Sequence, residues 1–396
     1  MRTLMTTSRM PFAVDEIRKL GETGNEVTAV DTFSASPGSH SRYVARHLEV
    51  PAPAQQTEQF VDAIAAIIAE HQIEWVLPMF EEVFYLSYHR DRLESAATAD
   101  QGVNLFFPAF DTLAKVHDKV TFAGLCRQLG LPVAESVAAT TTEQLKDATT
   151  KWDHWFARAA YGRGGLNVLT NTGPLASEGR LDDADPSDTD PWLVQEYLDG
   201  VDLCSWSVVH DGEVVLHSTY EHALTIDDRG GIVFEAIDSP ETLAATQKLV
   251  GELGWNGQVS FDFLRTADGV HHLVECNPRP TDGCTLATPE EFDAALFGSR
   301  PAEPVVVPAG RKREIKEAVL RDMFEHLGRL RSDLHAAKGG SDVYGQHGDN
   351  LPLLYTVFSL QHVKAYRQAM GIDHKSRQDL TAAQFFDVAW DGGPIS

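Results

Sequence analysis

Long apolar runs and paired cysteines are both missing from this chain of 396 residues. No stretch approaches the roughly 18 consecutive apolar residues of a transmembrane helix, and the N-terminus lacks the apolar core of a signal peptide. The four cysteines, Cys126, Cys204, Cys276 and Cys284, show no C-x-x-C spacing and suit buried thiols in a reducing compartment. We therefore expect a cytoplasmic protein with no membrane partner.

Basic residues are scarce as well. The chain has 33 Lys and Arg against 58 Asp and Glu, which gives a formal net charge of −25. A general nucleic-acid binder needs a basic face for its phosphate contacts, so nucleic acid is excluded as a partner. The sequence also lacks H-E-x-x-H, G-x-S-x-G and Walker A motifs, and the turn after its first predicted strand (TSRMPFA) lacks the G-x-G-x-x-G of a dinucleotide site.

Residues 1 to about 110 alternate between strand and helix patterns. The predicted strands are 3–7, 26–30 and 74–78, and the predicted helices are 12–20 and 60–69. This rhythm predicts a small parallel sheet covered by helices. Glu81 follows the third predicted strand, at the carboxyl end where such sheets bind ligands, and is a candidate substrate contact.

Residues 257–283 predict a β-hairpin that carries oxygen ligands. Asp262 lies on the first strand, while Glu275 and Asn277 share one face of the second, because residues i and i+2 of a strand point the same way. Antiparallel pairing can bring Asp262 opposite them. Two carboxylates and an amide oxygen suit Mg²⁺, and Arg279 follows on the same alternation as a cation. The hairpin predicts a site for magnesium and phosphate.

Three further patterns precede the hairpin. Lys119 stands at the start of a predicted helix, after an aspartate. Strands at 155–159 and 166–170 flank a glycine-rich connection whose backbone N–H groups can fold over a phosphate. That connection contains Gly162, Gly164 and Gly165 and is preceded by Arg158. The third pattern, E-Y-L-x-G-x-D, joins two further predicted strands.

Four motifs follow one another along the chain: D-K, R…G-x-G-G, E-Y-L-x-G-x-D and D…E-x-N-x-R. Their order resembles that of the ATP-grasp superfamily, in its biotin carboxylase and carbamoyl phosphate synthase branch. The resemblance covers roughly residues 1–300 and implies an α/β (α+β) fold. The implied parts are a parallel α/β pre-ATP-grasp domain (1–112), an ATP-grasp domain (113–300) with lobes at about 113–194 and 195–300, and a small, mainly helical C-terminal extension (301–396).

The resemblance also implies ATP and Mg²⁺ as cofactors, with Mn²⁺ as an alternative ion. Lys119 and Arg158 would bind phosphates under the glycine-rich loop; most of the superfamily has Lys in place of Arg158, but the carbamoyl phosphate synthase branch has Arg. Arg279 would act in catalysis together with Arg158. The backbone around Glu196, Tyr197 and Leu198 would bind adenine, and Asp202 would bind the ribose. Asp262, Glu275 and Asn277 would bind the metal. His217, Glu221 and His222 would contact the acceptor substrate.

The chemistry of such proteins is carboxylate activation. The γ-phosphoryl group of ATP moves to a carboxylate, and an amine then displaces phosphate from the acyl phosphate, so small-molecule carboxylates and amines are the expected substrates. Two alternatives stay open, namely a bicarbonate-phosphorylating carboxylase of the same fold and an ATP-binding regulatory protein without turnover. The tail, 301–396, is expected either to cap the active site or to form the interface of a homodimer.

Overall fold

The computed structural model describes residues 1–97, 102–163, 167–176, 179–226, 230–326, 330–372 and 382–395. Its strands form a five-stranded, a four-stranded and an eight-stranded sheet. The predicted mixed α/β fold with a parallel N-terminal sheet is confirmed. Within the described ranges, no helix has the length and apolar character needed to cross a bilayer.

The N-terminal sheet is parallel, with strand order β3-β2-β1-β4-β5. Its strands are β1 (Arg2–Met5), β2 (Glu26–Asp31), β3 (Val44–Glu49), β4 (Trp75–Leu77) and β5 (Asn104–Leu105). The helices of this part are α1 (Pro11–Glu22), α2 (Thr57–His71), α3 (Glu82–Tyr88), α4 (Arg90–Ala96) and α5 (Phe110–His117). The sequence analysis missed β3, whose side chains are half-buried or exposed and so lack an apolar alternation.

The four-stranded sheet is antiparallel, with strand order β6-β9-β7-β8. Its strands are β6 (Ser136–Ala139), β7 (Trp155–Ala159), β8 (Val168–Thr170) and β9 (Trp192–Glu196), and its helices are α6 (Lys119–Gln128) and α7 (Thr142–Ala148). Asp118 caps α6, because its side chain accepts hydrogen bonds from the N–H groups of Val120 and Thr121. The cap fixes Lys119 as the first residue of the helix.

The large sheet has the strand order β14-β13-β10-β11-β12-β16-β17, and β15 pairs with β11. Its strands are β10 (Gly200–His210), β11 (Glu213–Ile226), β12 (Gly230–Ile237), β13 (Gly257–Thr266), β14 (His271–Asn277), β15 (Val305–Val306), β16 (Lys312–Glu314) and β17 (Ser341–Asp342). The accompanying helices are α8 (Pro240–Leu253), α9 (Pro289–Phe297), α10 (Lys316–Glu325), α11 (Leu330–Ala337) and α12 (Leu351–Ala369). Residues 301–396 thus add strands to this sheet besides the predicted helices.

One hydrophobic core joins the N-terminal sheet to the hairpin β13–β14. It contains Phe60 from α2, Phe122 from α6 and Phe261 from β13, all fully buried. The rings of Phe122 and Phe261 stack with their centroids 6.2 Å apart. Each large apolar side chain buried in this way contributes about 1.5–3 kcal/mol, so the hairpin is held rigidly against α6.

The end of the chain returns to the N-terminal sheet. In the C-terminal segment (residues 382–395), Phe385 stacks on Phe80 and Trp390 stacks on Phe84, each with ring centroids 4.6 Å apart. Phe80 follows β4 and Phe84 lies in α3, so this segment covers the carboxyl end of the parallel sheet. Part of the predicted extension therefore lies beside the region where parallel α/β sheets bind ligands.

Candidate nucleotide and metal site

The hairpin places its polar side chains as the strand alternation predicts. Asp262 pairs directly with Glu275, and Ser260 pairs with Asn277. The Asn277 amide nitrogen donates to Asp262 Oδ2 (3.2 Å), and Arg279 donates to the Asn277 amide oxygen (3.1 Å). The four side chains chosen from the sequence therefore form one contiguous cluster.

A break in the strand pairing helps to orient this cluster. The register shifts between Asp262 and Phe263, because Phe263 pairs with Leu273 and leaves Val274 without a partner. The carbonyl of Val274 instead accepts a hydrogen bond from the Arg158 guanidinium (2.7 Å). Bulges of this kind are common beside active sites, where they redirect a side chain. Here the bulge gives Arg158 a fixed anchor on the hairpin.

Two buried cations face Glu275. Its Oε2 atom lies 3.3 Å from Lys119 Nζ and 3.7 Å from Arg158 NH1. Lys119 is 6% exposed and Arg158 is 7% exposed. Lys119 also donates to the carbonyl of Gly162 (2.6 Å), in the connection between β7 and β8. The first turn of α6, the end of β7, the glycine-rich connection and the hairpin thus meet at one carboxylate.

Burial and neighbouring charges shift the protonation of this cluster. Burial raises the pKa of Asp262, and the charge of Glu275 raises it further. Burial acts in the same direction on Glu275, but Lys119 and Arg158 outweigh it and lower the pKa of Glu275. Burial lowers the pKa of Lys119, an effect that Glu275 opposes. The carboxylate between the two cations is therefore the one that stays ionised.

The cluster also has unused capacity to bind an anion. Arg279 lies within electrostatic reach of Glu81, Asp262, Glu275 and Asp282, so its charge is shared among more carboxylates than the two of the hairpin. The buried Nε of Arg158 has no hydrogen-bond partner among the described residues. A buried donor without a partner costs about 1–3 kcal/mol, which an acceptor such as a phosphate oxygen would recover.

The donor set fits a hard cation only together with further oxygen ligands. In the described parts of the chain, no group of three or more His, Cys, Asp or Glu side chains is placed to hold a metal. Asp262, Glu275 and Asn277 supply two carboxylates and one amide, and Mg²⁺ in nucleotide sites commonly takes one or two carboxylates plus phosphate oxygens and water. Because the Asn277 amide nitrogen now faces Asp262, the amide would have to rotate to present its oxygen.

A cavity between the four-stranded and the eight-stranded sheet is lined by Asp262 and Glu275 of this cluster; as far as the structure describes it, Asn277 and Arg279 lie outside the lining. Its lining residues are Lys119, Phe156, Arg158, Gly162, Arg163, Val168, Asp202, Leu203, Cys204, His222, Asp262, Phe263, Val274 and Glu275. Burial raises the pKa of Asp202, the predicted ribose contact. Burial lowers the pKa of His222 to about 4, so its ring is neutral at pH 7. The cavity thus brings together most of the predicted phosphate, ribose and metal residues.

The other predicted nucleotide contacts either lie outside the described residues or do not line the cavity as far as the structure describes it. Gly164 and Gly165 lie outside the described residues. The N–H groups of Glu196 and Tyr197 already donate to the carbonyls of Glu135 and His154 (3.0 Å each), so neither can donate to an adenine. Neither they nor Leu198 line the cavity as far as the structure describes it. An adenine contact at Leu198 stays a prediction.

Two of the predicted acceptor contacts face away from the cavity. His217 is 1% exposed, and its ring nitrogens bond the hydroxyls of Ser207 (2.8 Å) and Thr219 (3.0 Å). Thr219 in turn bonds Thr242 of α8, so this face of β11 packs on a helix. The prediction for His217 is wrong, because the ring is a satisfied core histidine. Glu221 shares the strand face of His217 and, as far as the structure describes it, lies outside the cavity lining, so its acceptor role stays a prediction, whereas His222 lies on the opposite face and lines the cavity.

Glu81 has a structural role that the sequence analysis did not predict. It is 2% exposed, and its oxygens accept from Arg163 Nε (2.9 Å) and from the Trp390 N–H (3.0 Å). Burial raises the pKa of Glu81, but Arg163 and His117 outweigh this effect and lower it, so the carboxylate is ionised. Its two oxygens hold the glycine-rich connection and the C-terminal segment, and a substrate contact at Glu81 stays a prediction.

Arg163 was not among the residues selected from the sequence, yet it lines the cavity. It occupies the variable position of G-x-G-G, where a charged side chain inside a glycine-rich loop was an available signal. Its NH2 group donates to the Trp390 carbonyl (2.9 Å), and its side chain lines both the inter-sheet cavity and a second cavity beside the C-terminal segment. Trp390 itself gave no such signal, because its contacts come from residues far away in the chain.

No protein-family model matches the chain, but known proteins resemble it in sequence and in fold. The arginine-specific carbamoyl phosphate synthase large chain of Bacillus subtilis is 26% identical over 188 residues, which is 45% of this chain and 18% of that protein. The chain spans about a fifth of the length of the curated relatives it matches.

Solved structures resemble the chain over most of its length. The N5-carboxyaminoimidazole synthetase of Staphylococcus aureus, complexed with ADP, aligns with a TM-score of 0.60 at 11% identity and covers 82% of this chain and 86% of its own. A second structure is the biotin carboxylase domain dimer of the Hydrogenobacter thermophilus 2-oxoglutarate carboxylase, in complex with MgADP, ADP and bicarbonate. It aligns with a TM-score of 0.55 at 15% identity and covers 77% of this chain and 71% of its own. At these identities the likeness establishes the fold.

Proposed function

The chain has the ATP-grasp fold, and from this premise we propose that it is an ATP-dependent ligase that couples a small-molecule carboxylate to an amine. The observation that carries the proposal is the pair of buried cations, Lys119 and Arg158, that faces the hairpin carboxylates in one cavity, with the half-buried Arg279 beside the same carboxylates. Lys119, Arg158 and Arg279 come from three separate parts of the chain and converge on Asp262 and Glu275. A site with no anionic ligand to bind would gain nothing from keeping so many buried charges together.

The reaction has two steps. A carboxylate oxygen of the substrate attacks the γ-phosphorus of ATP, the bond from that phosphorus to the ADP oxygen breaks, and ADP leaves. The amine nitrogen then attacks the acyl carbon, the carbon–oxygen bond to phosphate breaks, and the amine loses a proton. The products are an amide or peptide bond, ADP and phosphate. Because charge spreads over the transferring phosphoryl oxygens, positioning and electrostatics supply most of the catalysis.

The residues of the cavity suit these demands. Lys119 and Arg158 would hold phosphate oxygens, and the contact of Lys119 with the Gly162 carbonyl links that cation to the glycine-rich connection. A Mg²⁺ ion held by Asp262, Glu275 and Asn277 would supply additional positive charge at the phosphates. The Arg279 guanidinium stacks 4.2 Å from the Phe80 ring centre, which fixes it beside the carboxyl end of the parallel sheet. There it would stabilise the negative oxygen that develops on the acyl carbon.

Phosphorylation of bicarbonate is the second candidate. The complex of the Hydrogenobacter thermophilus domain with MgADP and bicarbonate favours it. Bicarbonate is small, however, and it would leave the second cavity next to Arg163, with its aromatic side chains, without a use. We therefore favour a larger organic carboxylate.

An ADP-release assay with amino acids, other carboxylates and bicarbonate, each with and without added amines, tests the proposal. ADP release that requires both an acid and an amine supports the ligase. ADP release with bicarbonate alone would instead identify the protein as the bicarbonate-phosphorylating carboxylase. Nucleotide binding without release in any mixture would overturn both in favour of a regulatory protein. Arg279→Ala should abolish release, and Arg265→Ala, at the far end of the same hairpin, is the matched control.

A further inference from the structure

A second cavity lies beside the inter-sheet cavity, and the C-terminal segment forms part of its wall. Its large lining side chains are aromatic or aliphatic, namely Tyr85, Met370, Phe385, Phe386, Trp390 and Ile395, while Gln55, Thr57 and Asn167 add uncharged polar groups. Among the described residues, Arg163 and Asp391 are the two charged side chains in its lining. The cavity therefore combines aromatic and aliphatic side chains with uncharged polar groups, one cation and one carboxylate, and mixed linings of this kind occur in small-molecule sites.

Arg163 stands at the boundary of the two cavities, because its side chain lines both. Its Nε bonds Glu81 and its NH2 group bonds the Trp390 carbonyl, so the guanidinium is held in place from two sides. A carboxylate placed on Arg163 from the second cavity would lie at the edge of the inter-sheet cavity. This is the position that phosphoryl transfer requires of a substrate carboxylate.

Asp391 supplies the opposite charge on the same wall. The hydroxyl of Tyr85 donates to the Ala389 carbonyl (2.7 Å). Burial, followed by the charges of Glu81 and Asp391, raises the pKa of Tyr85, while Arg163 opposes this shift. Arg163, which is half-buried, and Asp391, which is exposed, line the same cavity, and this places a cation and an anion beside one ligand-sized space.

We propose that this cavity binds the carboxylate substrate of the ligase and that this substrate is an α-amino acid with an apolar side chain. Its carboxylate would lie on Arg163, its ammonium group on Asp391, and its side chain among Phe386, Trp390 and Ile395. The identification rests on the proposed function for its place in the reaction.

Calorimetry on the full chain without nucleotide tests the binding site directly. The probes are L-leucine and L-phenylalanine, compared with 4-methylpentanoate (no amino group), 3-methylbutylamine (no carboxylate) and L-glutamate (a charged side chain). We expect the two apolar amino acids to bind at least roughly tenfold more tightly than each of the other three, since a charge-assisted hydrogen bond contributes about 1.5–3 kcal/mol. Equal or tighter binding of glutamate would overturn the assignment.

Two variants place the ligand in this cavity. Asp391→Asn should weaken leucine binding about tenfold and leave 4-methylpentanoate unchanged, because only the ammonium contact is lost. Phe386→Ala should weaken both ligands. Asp62→Asn, an exposed substitution in α2, is the matched control. Leucine binding that neither cavity variant alters would overturn the proposal.

The ADP-release assay separates this inference from the proposed function. Apolar amino acids that bind with the expected dependence on Asp391 and Phe386, but give no ADP with any amine, would support the cavity and refute the ligase. ADP release from an acid–amine pair with a KM that neither variant changes would support the ligase and refute the cavity. Release whose KM for leucine rises in both variants supports the two together.

Discussion

Arg9 and Asp387 are 378 positions apart in the chain and form a buried ion pair, with the Arg9 NH2 group 2.7 Å from Asp387 Oδ1. Asp31 of β2 accepts from the same guanidinium at 2.9 Å. Arg9 is 4% exposed and both carboxylates are 2% exposed or less. Because water cannot replace these contacts without opening the interface, they hold the C-terminal segment against the carboxyl end of the N-terminal sheet.

Asp387→Ala should therefore destabilise the protein strongly. The substitution leaves the Arg9 charge buried with only Asp31 to compensate it, and breaking a buried pair in this way costs about 3–5 kcal/mol. Urea denaturation followed by circular dichroism measures the change. Asp62→Ala, which removes an exposed partner of Arg92, should have a far smaller effect. Similar losses in the two variants would contradict the assignment of the buried pair.

A buried glutamate in α1 predicts a dependence of stability on pH. Glu16 is fully buried and accepts a hydrogen bond from the Gln258 amide (3.0 Å). Burial raises the pKa of Glu16 from 4.5 to about 7, although Gln258 and Lys19 oppose the shift. Between these two values the folded state holds a proton that the unfolded state has lost. The stability linked to this group is fully present below about pH 4.5 and is lost as the pH rises to about 7.

Glu16→Gln removes this loss, because the amide cannot ionise and can still accept from Gln258. We expect the variant to be more stable than the parent at pH 8, by up to roughly 3 kcal/mol, with the difference vanishing towards pH 4. Urea midpoints measured at several pH values between these limits give the result. Glu70→Gln, on the surface of α2, is the control. A variant that gains no stability at pH 8 would show that Glu16 is not the titrating group.

Local spacing was enough to predict the hairpin. The two-residue period of a strand places Glu275 and Asn277 on one face, and the turn between the arms brings Asp262 opposite them. The same period separates His222 from His217 and Glu221, so the error at His217 came from ignoring strand parity. These features depend on neighbours in sequence and are therefore visible in it.

Contacts between distant parts of the chain had no such signal. Glu81 and Arg163 are 82 positions apart, and Trp390 lies 227 positions after Arg163. Their meeting depends on how the sheets and the C-terminal segment pack, which no local pattern encodes. The two-residue strands β15 and β17 were missed for a related reason, because two residues are too few to show a period.

Glu81→Gln should loosen the glycine-rich connection. The substitution removes the ionic component of the contact with Arg163 while the side-chain volume stays nearly constant. We expect turnover to fall roughly tenfold and trypsin to cleave after Arg163 more rapidly, since a charged hydrogen bond contributes about 1.5–3 kcal/mol. Cleavage and ADP release are measured in parallel, with Glu22→Gln, on the surface of α1, as the control. Unchanged cleavage after Arg163 would show that Glu81 does not restrain the connection.

Glu275→Gln should affect nucleotide binding in opposite directions with and without magnesium. Glu275 lies 3.3 Å from Lys119 and 3.7 Å from Arg158, so it neutralises the cations that would bind phosphate. Without the carboxylate, ADP in the presence of EDTA should bind several-fold more tightly, because the phosphates meet less negative charge.

With Mg²⁺ the same variant should lose turnover, and Mg²⁺ should no longer strengthen ADP binding, since one of its two carboxylate ligands is gone. Calorimetry with ADP in EDTA and in Mg²⁺ separates the two effects, and Asp268→Asn, in the exposed turn of the hairpin, is the matched control. Glu275→Gln that weakens ADP binding equally in both buffers would mean that the carboxylate supports the fold of the cavity and does not serve as a metal ligand.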